Sequence, residues 1–231
     1  MHVARVRILA IDTASETACV GVVVDGVVRA EDLGRVSSQH GETLLPRVAS
    51  VLETAGVARR DVDLIAVGLG PGSFTGVRIG LATAKGLAIG LGKPIVGVRS
   101  SRALAAGADG ALRVVAIDGK KSEVFASVWS FDGALEVLLE DAHGAPDVMG
   151  QRARAIVGDR KATLVGTGAS AYPAFGASFD ALRVEADVVR AASLAAEAHR
   201  AFDAHGASDL AALEPVYVRA ADALLPGGRV P

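Results

Sequence analysis

One cysteine, Cys19, is all the sequence has, so no disulfide can close within the chain. It lies in the apolar run ACVGVVV, the setting of a buried core thiol rather than a nucleophile. Charge of either sign is not in excess. A net charge of −2 over 231 residues leaves no basic footprint for independent nucleic-acid binding. Lys120 and Lys121 adjoin, but Asp118 and Glu123 flank them, the pattern of a solvated mixed surface. Long hydrophobic runs are missing too. The best, Ile79 to Gly92, is too short for a bilayer and carries Lys85. The opening MHVARVRILAID is too short and interrupted for a signal peptide. The expectation is no membrane association and a cytoplasmic protein.

Metal and nucleophile motifs are also lacking. The histidines are His2, His40, His143, His199 and His205, and no two have the i, i+3 or i, i+4 spacing that places ligands on one helix face. No metal site is expected. His40, after Ser-Ser-Gln, reads as a capping-region residue, and His199 and His205 fall on a polar helix face. No Ser–His–Asp set can be assigned.

What is there is a repeat. ILAIDTASETACVGVVVDGVVRAED (Ile8 to Asp32) and VVAIDGKKSEVFASVWSFDGALEVLLED (Val114 to Asp141) share a plan. Each has an apolar strand ending in A-I-D, a polar turn, a strand, a D-G turn and a third strand. Asp-Gly between apolar runs is a strong hairpin signal. LIAVGLGPGSFTG is echoed by ATLVGTGASAYPAFG, both strands entering glycine-rich loops. A helix fits between hairpin and loop in each half. In the first it covers about 39–55, with Leu44, Leu45, Val48 and Leu52 at helical spacing, an end at Gly56, and Pro46 implying a bend or a first-turn position. KPIVGV follows as a strand in the first half, and DVVRAASLAAEAHRAFDAHG is a long last helix in the second. With 51% hydrophobic residues, the chain can form one large domain or two small lobes. The division adopted is 1–103 and 104–222, the last helix returning toward the first lobe, with 223–231 a Pro/Gly-rich flexible tail.

The glycine loop before the second helix looks like a phosphate loop. Gly70, Gly72 and Gly76 permit close backbone approach, Ser73 and Thr75 can cap a helix starting near Gly76, and amides there could hold an anion. A tight strand-to-helix turn with nothing bound is the alternative. The specific motifs fail: three residues separate Gly72 from Gly76, with Val77-Arg78 following, whereas a Walker A loop needs four between its glycines and then Lys-Ser/Thr. No Asp or Glu occurs from Phe74 to Ala108 to bind a ribose as in a dinucleotide fold.

The helix at 76–91 is apolar on two sides. Val77, Leu81, Ala84 and Ala88 form one stripe; Ile79, Ala82, Gly86 and Gly90 form another, built mainly of small residues. An ordinary surface helix is apolar on one face only. This one is either wholly internal or covered by a partner, and the partner reading makes the helices at 39–55 and 76–91 an interface.

Two such α/β halves resemble the actin-like ATPase (sugar-kinase, Hsp70-like) superfamily, in which two mixed-sheet lobes face each other across a cleft. There the phosphates sit between two turns that follow aspartates; the equivalents here are Asp12-Thr13 and Asp118-Gly119, with Gly72 and Ser73 beside them. DTASET lacks the glycine that wraps a phosphate; DGKKSE keeps one. No cofactor is expected, though two cleft aspartates leave room for weak nucleotide or Mg²⁺ binding. The blocks ILAIDTASETACVGVV, LLPRV, AVGLGPGSFTGVRIGLATAKGLA, AIDGKKSEVFASVW and EPVYVR are similar to the TsaB (YeaZ) family, from Ile8 to Arg219. The resemblance implies a non-catalytic relative of TsaD. That subunit pairs with TsaD and the ATPase TsaE to place threonylcarbamoyl on N6 of the adenosine 3′ of the anticodon, meeting tRNA only through the complex. Self-association of the free chain as a homodimer is expected. The family often has an Arg after that second aspartate and then Glu-Val-Tyr; here lysines and Phe125 stand instead. The alternative functions are a small-molecule kinase of the same fold, disfavoured by DTASET, and a metalloprotease, disfavoured by the lack of paired histidines.

Overall fold

The structure is a computed structural model that describes residues 5–35, 40–179, 182–185 and 188–219. His2, residue 39 of the expected first helix and the expected tail at 223–231 lie outside them. The first half runs β1 (Arg7–Asp12), β2 (Thr17–Val24), β3 (Val27–Arg35), α1 (His40–Thr54), a 3-10 turn at Arg59–Asp61, β4 (Leu64–Gly68), α2 (Phe74–Leu91), β5 (Ile95–Val98) and α3 (Ser100–Ala106). The second half runs β6 (Leu112–Lys120), β7 (Glu123–Asp132), β8 (Ala134–Gly144), α4 (Pro146–Val157), β9 (Ala162–Val165), the short α5 (Thr167–Ala171) and α6 (Pro173–Gly176), β10 (Leu182–Glu185) and α7 (Ala191–His205).

The internal repeat becomes two sheets of one topology, β3-β2-β1-β4-β5 and β8-β7-β6-β9-β10. In each, the first strand pairs antiparallel with the second and parallel with the fourth. Asp25 and Gly26 both have positive φ, 52° and 76°, the paired left-handed conformation that a two-residue hairpin turn requires.

Alternation along β1 sends Leu9 and Ile11 to one face and Ile8 and Ala10 to the other. Both faces are therefore covered, which is why the strand reads as a continuous apolar run. The outer face packs on α1 and α2 through Leu44, Val48, Leu52, Leu81 and Ala84. The inner faces of both sheets share a core with α3 and α7, including Val98, Leu104, Ile117, Trp129 and Leu194. The outer face of the second sheet packs on α4 and α6 through Met149, Ala153 and Phe175. α7 lies across β1, β2, β4 and β5.

Two expectations need correction, the start of α2 and the place of Pro46, and two features of the structure were not anticipated. The division at 103/104 falls inside α3 (Ser100–Ala106), a helix that joins the lobes rather than ending one. β10, a four-residue strand, is too short to carry a periodic signal. α2 begins at Phe74, not Gly76, because Ser73 is its cap and accepts a hydrogen bond from the Gly76 N–H at 3.2 Å. Pro46 is interior to α1, which starts at His40, rather than in its first turn.

Candidate functional site

The turns after β1 and β6 open onto one cleft between the lobes, about 1090 Å³ in volume. Asp12 ends β1 but does not face it. Its side chain is buried, accepting hydrogen bonds from Ser100 Oγ at 2.5 Å and from the Ala14 N–H at 3.0 Å. This corrects the expectation of two cleft-facing aspartates. Burial raises the Asp12 carboxyl above its usual value, and the Ser100 and Ala14 hydrogen bonds only partly offset it.

The glycine loop explains why the turn points inward. Gly68, Gly72, Gly76 and Gly80 recur every four residues, and each abuts the Asp12–Ala14 segment. A methyl group would overlap the Asp12 carboxylate at Gly68, the Ala14 carbonyl at Gly72, the Thr13 carbonyl at Gly76 and Thr13 Oγ1 at Gly80. The contact is also hydrogen-bonded: Ser73 N–H donates to Ala14 O at 2.7 Å, and Thr13 Oγ1 donates to Gly76 O at 2.7 Å. The loop that could have cradled a phosphate holds the chain's own hairpin turn. The peptide between Gly70 and Pro71 is cis.

The second turn does face the cleft. Asp118 accepts from the Lys120 N–H at 2.8 Å, from Lys120 Nζ at 2.7 Å and from Tyr172 Oη at 3.0 Å. Burial pushes its carboxyl up, but hydrogen bonds from Lys120 and Tyr172 outweigh this and hold it below the usual range. Lys120 Nζ also donates to Glu16 Oε1 at 2.7 Å, spanning the two turns, and these hydrogen bonds hold the ammonium above its usual value. The Lys120–Glu16 pair is exposed and contributes at most about 1 kcal/mol; in the Lys120–Asp118 pair the carboxylate is mostly buried. Lys120, Lys121 and Ser122 all have positive φ, 60°, 52° and 58°, a left-handed run costing about 1–2 kcal/mol per residue. A methyl group at Gly119 would crowd the Glu123 carbonyl oxygen at 3.1 Å. Among the described residues, no group of three or more His, Cys, Asp or Glu could hold a metal, and no helix is long and apolar enough to cross a membrane.

The segment Pro215–Arg219 crosses the cleft. Val216 N–H donates to Leu69 O at 2.8 Å, while Arg219 donates to Gly119 O at 3.1 Å and Glu123 Oε2 at 3.0 Å. The strap thus touches both lobes. Its EPVYVR motif was visible in the sequence, but Arg219 and Tyr217 had no role assigned from it. Ser100, Glu16 and Lys120 were also missed as site residues. Ser100 carries no sequence signal, since its partner lies 88 residues away.

The expected interface residues divide. Val77, Leu81, Ala84 and Ala88 of α2, with Leu44, Val48 and Leu52 of α1, are buried in the lobe's own core and are corrected from partner-facing to core. Leu45, Ala82 and Gly86 are exposed and Ile79 is half-buried. Ile89, 71% exposed, extends the same face.

Asp12→Asn tests the inward placement. A carboxyl whose folded pKa lies above its unfolded one binds its proton more tightly when folded, so from pH 3.8 upward it lowers stability as pH rises. Asn keeps the shape and removes the charge. The variant is expected to match or exceed wild-type stability at pH 7, with the difference narrowing toward pH 4 in urea melts. A loss above about 1 kcal/mol at pH 7 would mean that the charged form is needed.

Residues 34–224 match the family model of TsaD: tRNA N6-adenosine threonylcarbamoyltransferase. The chain is 39% identical over 176 residues to the tRNA threonylcarbamoyladenosine biosynthesis protein TsaB of Escherichia coli, covering 74% of this chain and 75% of that one. To TsaB of Bacillus subtilis it is 36% identical over 138 residues, 58% and 60% of the two chains. Among solved structures, YeaZ from Pseudomonas aeruginosa superposes with a TM-score of 0.79 at 26% identity, covering 92% and 99%. Component A of the (R)-2-hydroxyglutaryl-CoA dehydratase of Acidaminococcus fermentans superposes at 0.55 with 10% identity, covering 86% and 98%, a likeness of fold alone. The architecture shared with these structures is α/β, two lobes each built on a five-stranded mixed sheet.

Proposed function

We propose that this chain, which belongs to the TsaB family of tRNA threonylcarbamoyladenosine biosynthesis proteins, is a non-catalytic subunit that docks on and supports TsaD. Its role lies in forming threonylcarbamoyladenosine in tRNA, and it works in the cytosol. TsaE is the third member of the assembly, and tRNA is met through the complex rather than bound by this chain alone. The match of residues 34–224 to the TsaD family model supports a paralogous pair built on one fold.

One observation carries the non-catalytic reading. The open faces of Gly68, Gly72, Gly76 and Gly80 are filled by Asp12–Ala14, so the close approach that a phosphate would need at these glycines is taken by the chain's own turn. Lys120, held between Glu16 and Asp118, adds a second obstacle by filling the space between the turns. What the chain offers instead is the solvent face of α2, with Ala82, Gly86 and Ile79, and Leu45 of α1. Exposed Gly86 and Gly90, which have no neighbour near their missing Cβ, leave room for another helix to approach closely.

The purified chain is expected neither to turn over ATP nor to modify tRNA, to bind ATP with Mg²⁺ weakly or not at all in titration calorimetry, and to copurify with the TsaD-family protein of its own organism. ATP turnover that Asp12→Asn abolishes would favour the kinase reading instead.

A further inference from the structure

We infer that the strap Pro215–Arg219 is a latch: it is hinged on the first lobe, caught on the second by Arg219, and its catch sets how wide the cleft stands. The inference is independent of docking on α2, and its test needs no partner.

The hinge side is built first. After α7 the chain runs along β5, where Ser208 N–H donates to Ile95 O at 2.8 Å and Gly97 N–H donates to Ser208 Oγ at 3.3 Å. Leu210 and Leu213 then pack against the outer-face core of the first sheet. Val216 N–H reaches Leu69 O, just past β4. The Tyr217 ring stands 5.5 Å from that of Phe74, and its Oη accepts from Arg78 Nε–H at 2.8 Å. Every one of these contacts is with the first lobe.

Arg219 changes sides. Its Nη1 donates to Gly119 O and to Glu123 Oε2, and its guanidinium lies 5.9 Å from the Phe125 ring centroid. All three partners belong to the β6–β7 hairpin of the second lobe. The first lobe grips the same hairpin a second time, through Lys120 and Glu16 of the β1–β2 turn. Two side-chain ties from the first lobe therefore meet on one turn of the second.

Burial separates a latch from a structural seam. None of residues 206–219 is fully buried, although Val218 packs partly against the shared inner core. That core holds both lobes together through Leu104, Ile117, Trp129 and Leu194, all buried. A segment held by hydrogen bonds and ring contacts near solvent opens at a far lower cost than the core does. A partly exposed ion pair such as Arg219–Glu123 adds little to hold it. The catch can thus release while the core stays closed. Pro215, Val216 and Arg219 line the cleft, so release takes away part of its wall and frees the β6–β7 turn. The lobes then rock on α3 and the shared core, the usual pattern of a hinge closed by a few residues.

Spin labels test this. Ile89→Cys and Asp159→Cys place one label on an exposed position of each lobe, and Cys19 is buried and stays unlabelled. Double electron–electron resonance should give one narrow distance in the labelled protein. Arg219→Ala should widen that distribution by about twofold, with the melting temperature and the hydrogen-exchange protection of β1 and β6 unchanged. An unchanged distribution in Arg219→Ala overturns the latch. Broadening by Glu16→Ala but not by Arg219→Ala overturns it too, and moves the catch to Lys120. Broadening of Arg219→Ala that comes with lost protection in β1 and β6 also refutes the inference, because the strap is then part of the cooperative fold and not a device added to it.

Discussion

Gly76→Ala is expected to destabilise the protein by about 2–4 kcal/mol, against the usual preference of helices for Ala. In an exposed helix interior the change from Gly to Ala gains about 1 kcal/mol, because Gly gives up more backbone freedom on folding. At Gly76 the added methyl would overlap the Thr13 carbonyl oxygen, with Ser73 Cβ and Oγ also close, both at 3.2 Å. Backbone cannot rotate away as a flexible side chain can. The turn must shift, and with it the Ser73 N–H to Ala14 O and Thr13 Oγ1 to Gly76 O bonds. Gly86, in the same helix, has nothing within 4 Å of its missing Cβ, so Gly86→Ala should gain up to about 1 kcal/mol. In a chain of this size each kcal/mol moves the melting temperature by about 2–4 °C, so opposite shifts are measurable in one calorimetry series. Should Gly76→Ala melt higher than wild type, the glycines are not there to admit the turn, and the reading of the loop as a structural clasp is lost.

Much of this fold was legible because its signals are local. The A-I-D strand endings and D-G turns recur in both halves, and a duplicated order of strands implies a duplicated sheet topology without any knowledge of contacts. The helical spacing of Leu44, Val48 and Leu52 marked α1 because one face is apolar. What stayed hidden depends on residues far apart in the chain. The glycine spacing at 68, 72, 76 and 80 is visible, but its partner, Asp12–Ala14, lies more than fifty residues upstream, so the loop reads equally as a phosphate cradle. Asp12 ends a strand at a turn in either case; its inward carboxylate depends on the distant glycine loop and on Ser100, brought up by α3. On α2 the two apolar stripes are nearly balanced in hydrophobicity, and a wheel cannot say which one the sheet covers. The small residues Ala82, Gly86 and Gly90 face solvent, while the larger Val77 and Leu81 fill the core. That agrees with packing density: a core helix contributes volume, and a close helix–helix contact calls for its absence.

That assignment makes Leu81→Arg and Ala82→Arg, neighbours in sequence, opposite in effect. Leu81 is 5% exposed and packs with the outer-face core of the first sheet. Arginine there places a charge among apolar side chains with no carboxylate nearby on α2, and a loss above about 4 kcal/mol is expected from the unpaired buried charge together with the lost packing. A domain stabilised by about 5–15 kcal/mol then sits near or beyond its limit, so the variant should accumulate in inclusion bodies or melt far below wild type. Ala82 is one position on, rotated by 100°, and exposed. Arginine there projects into solvent in the free monomer, with an expected stability change within about 0.5 kcal/mol. Its cost appears only when another helix covers the strip, where a long charged side chain enters a space suited to small residues. The Ala82→Arg protein should melt like wild type, sediment as a monomer and fail to retain the TsaD-family partner on a column. A folded Ala82→Arg that still self-associates and still binds would place the interface elsewhere, and the exposed strip of α2 would then be left without an explanation in partner binding. A folded, stable Leu81→Arg would go further and contradict the orientation of α2 itself.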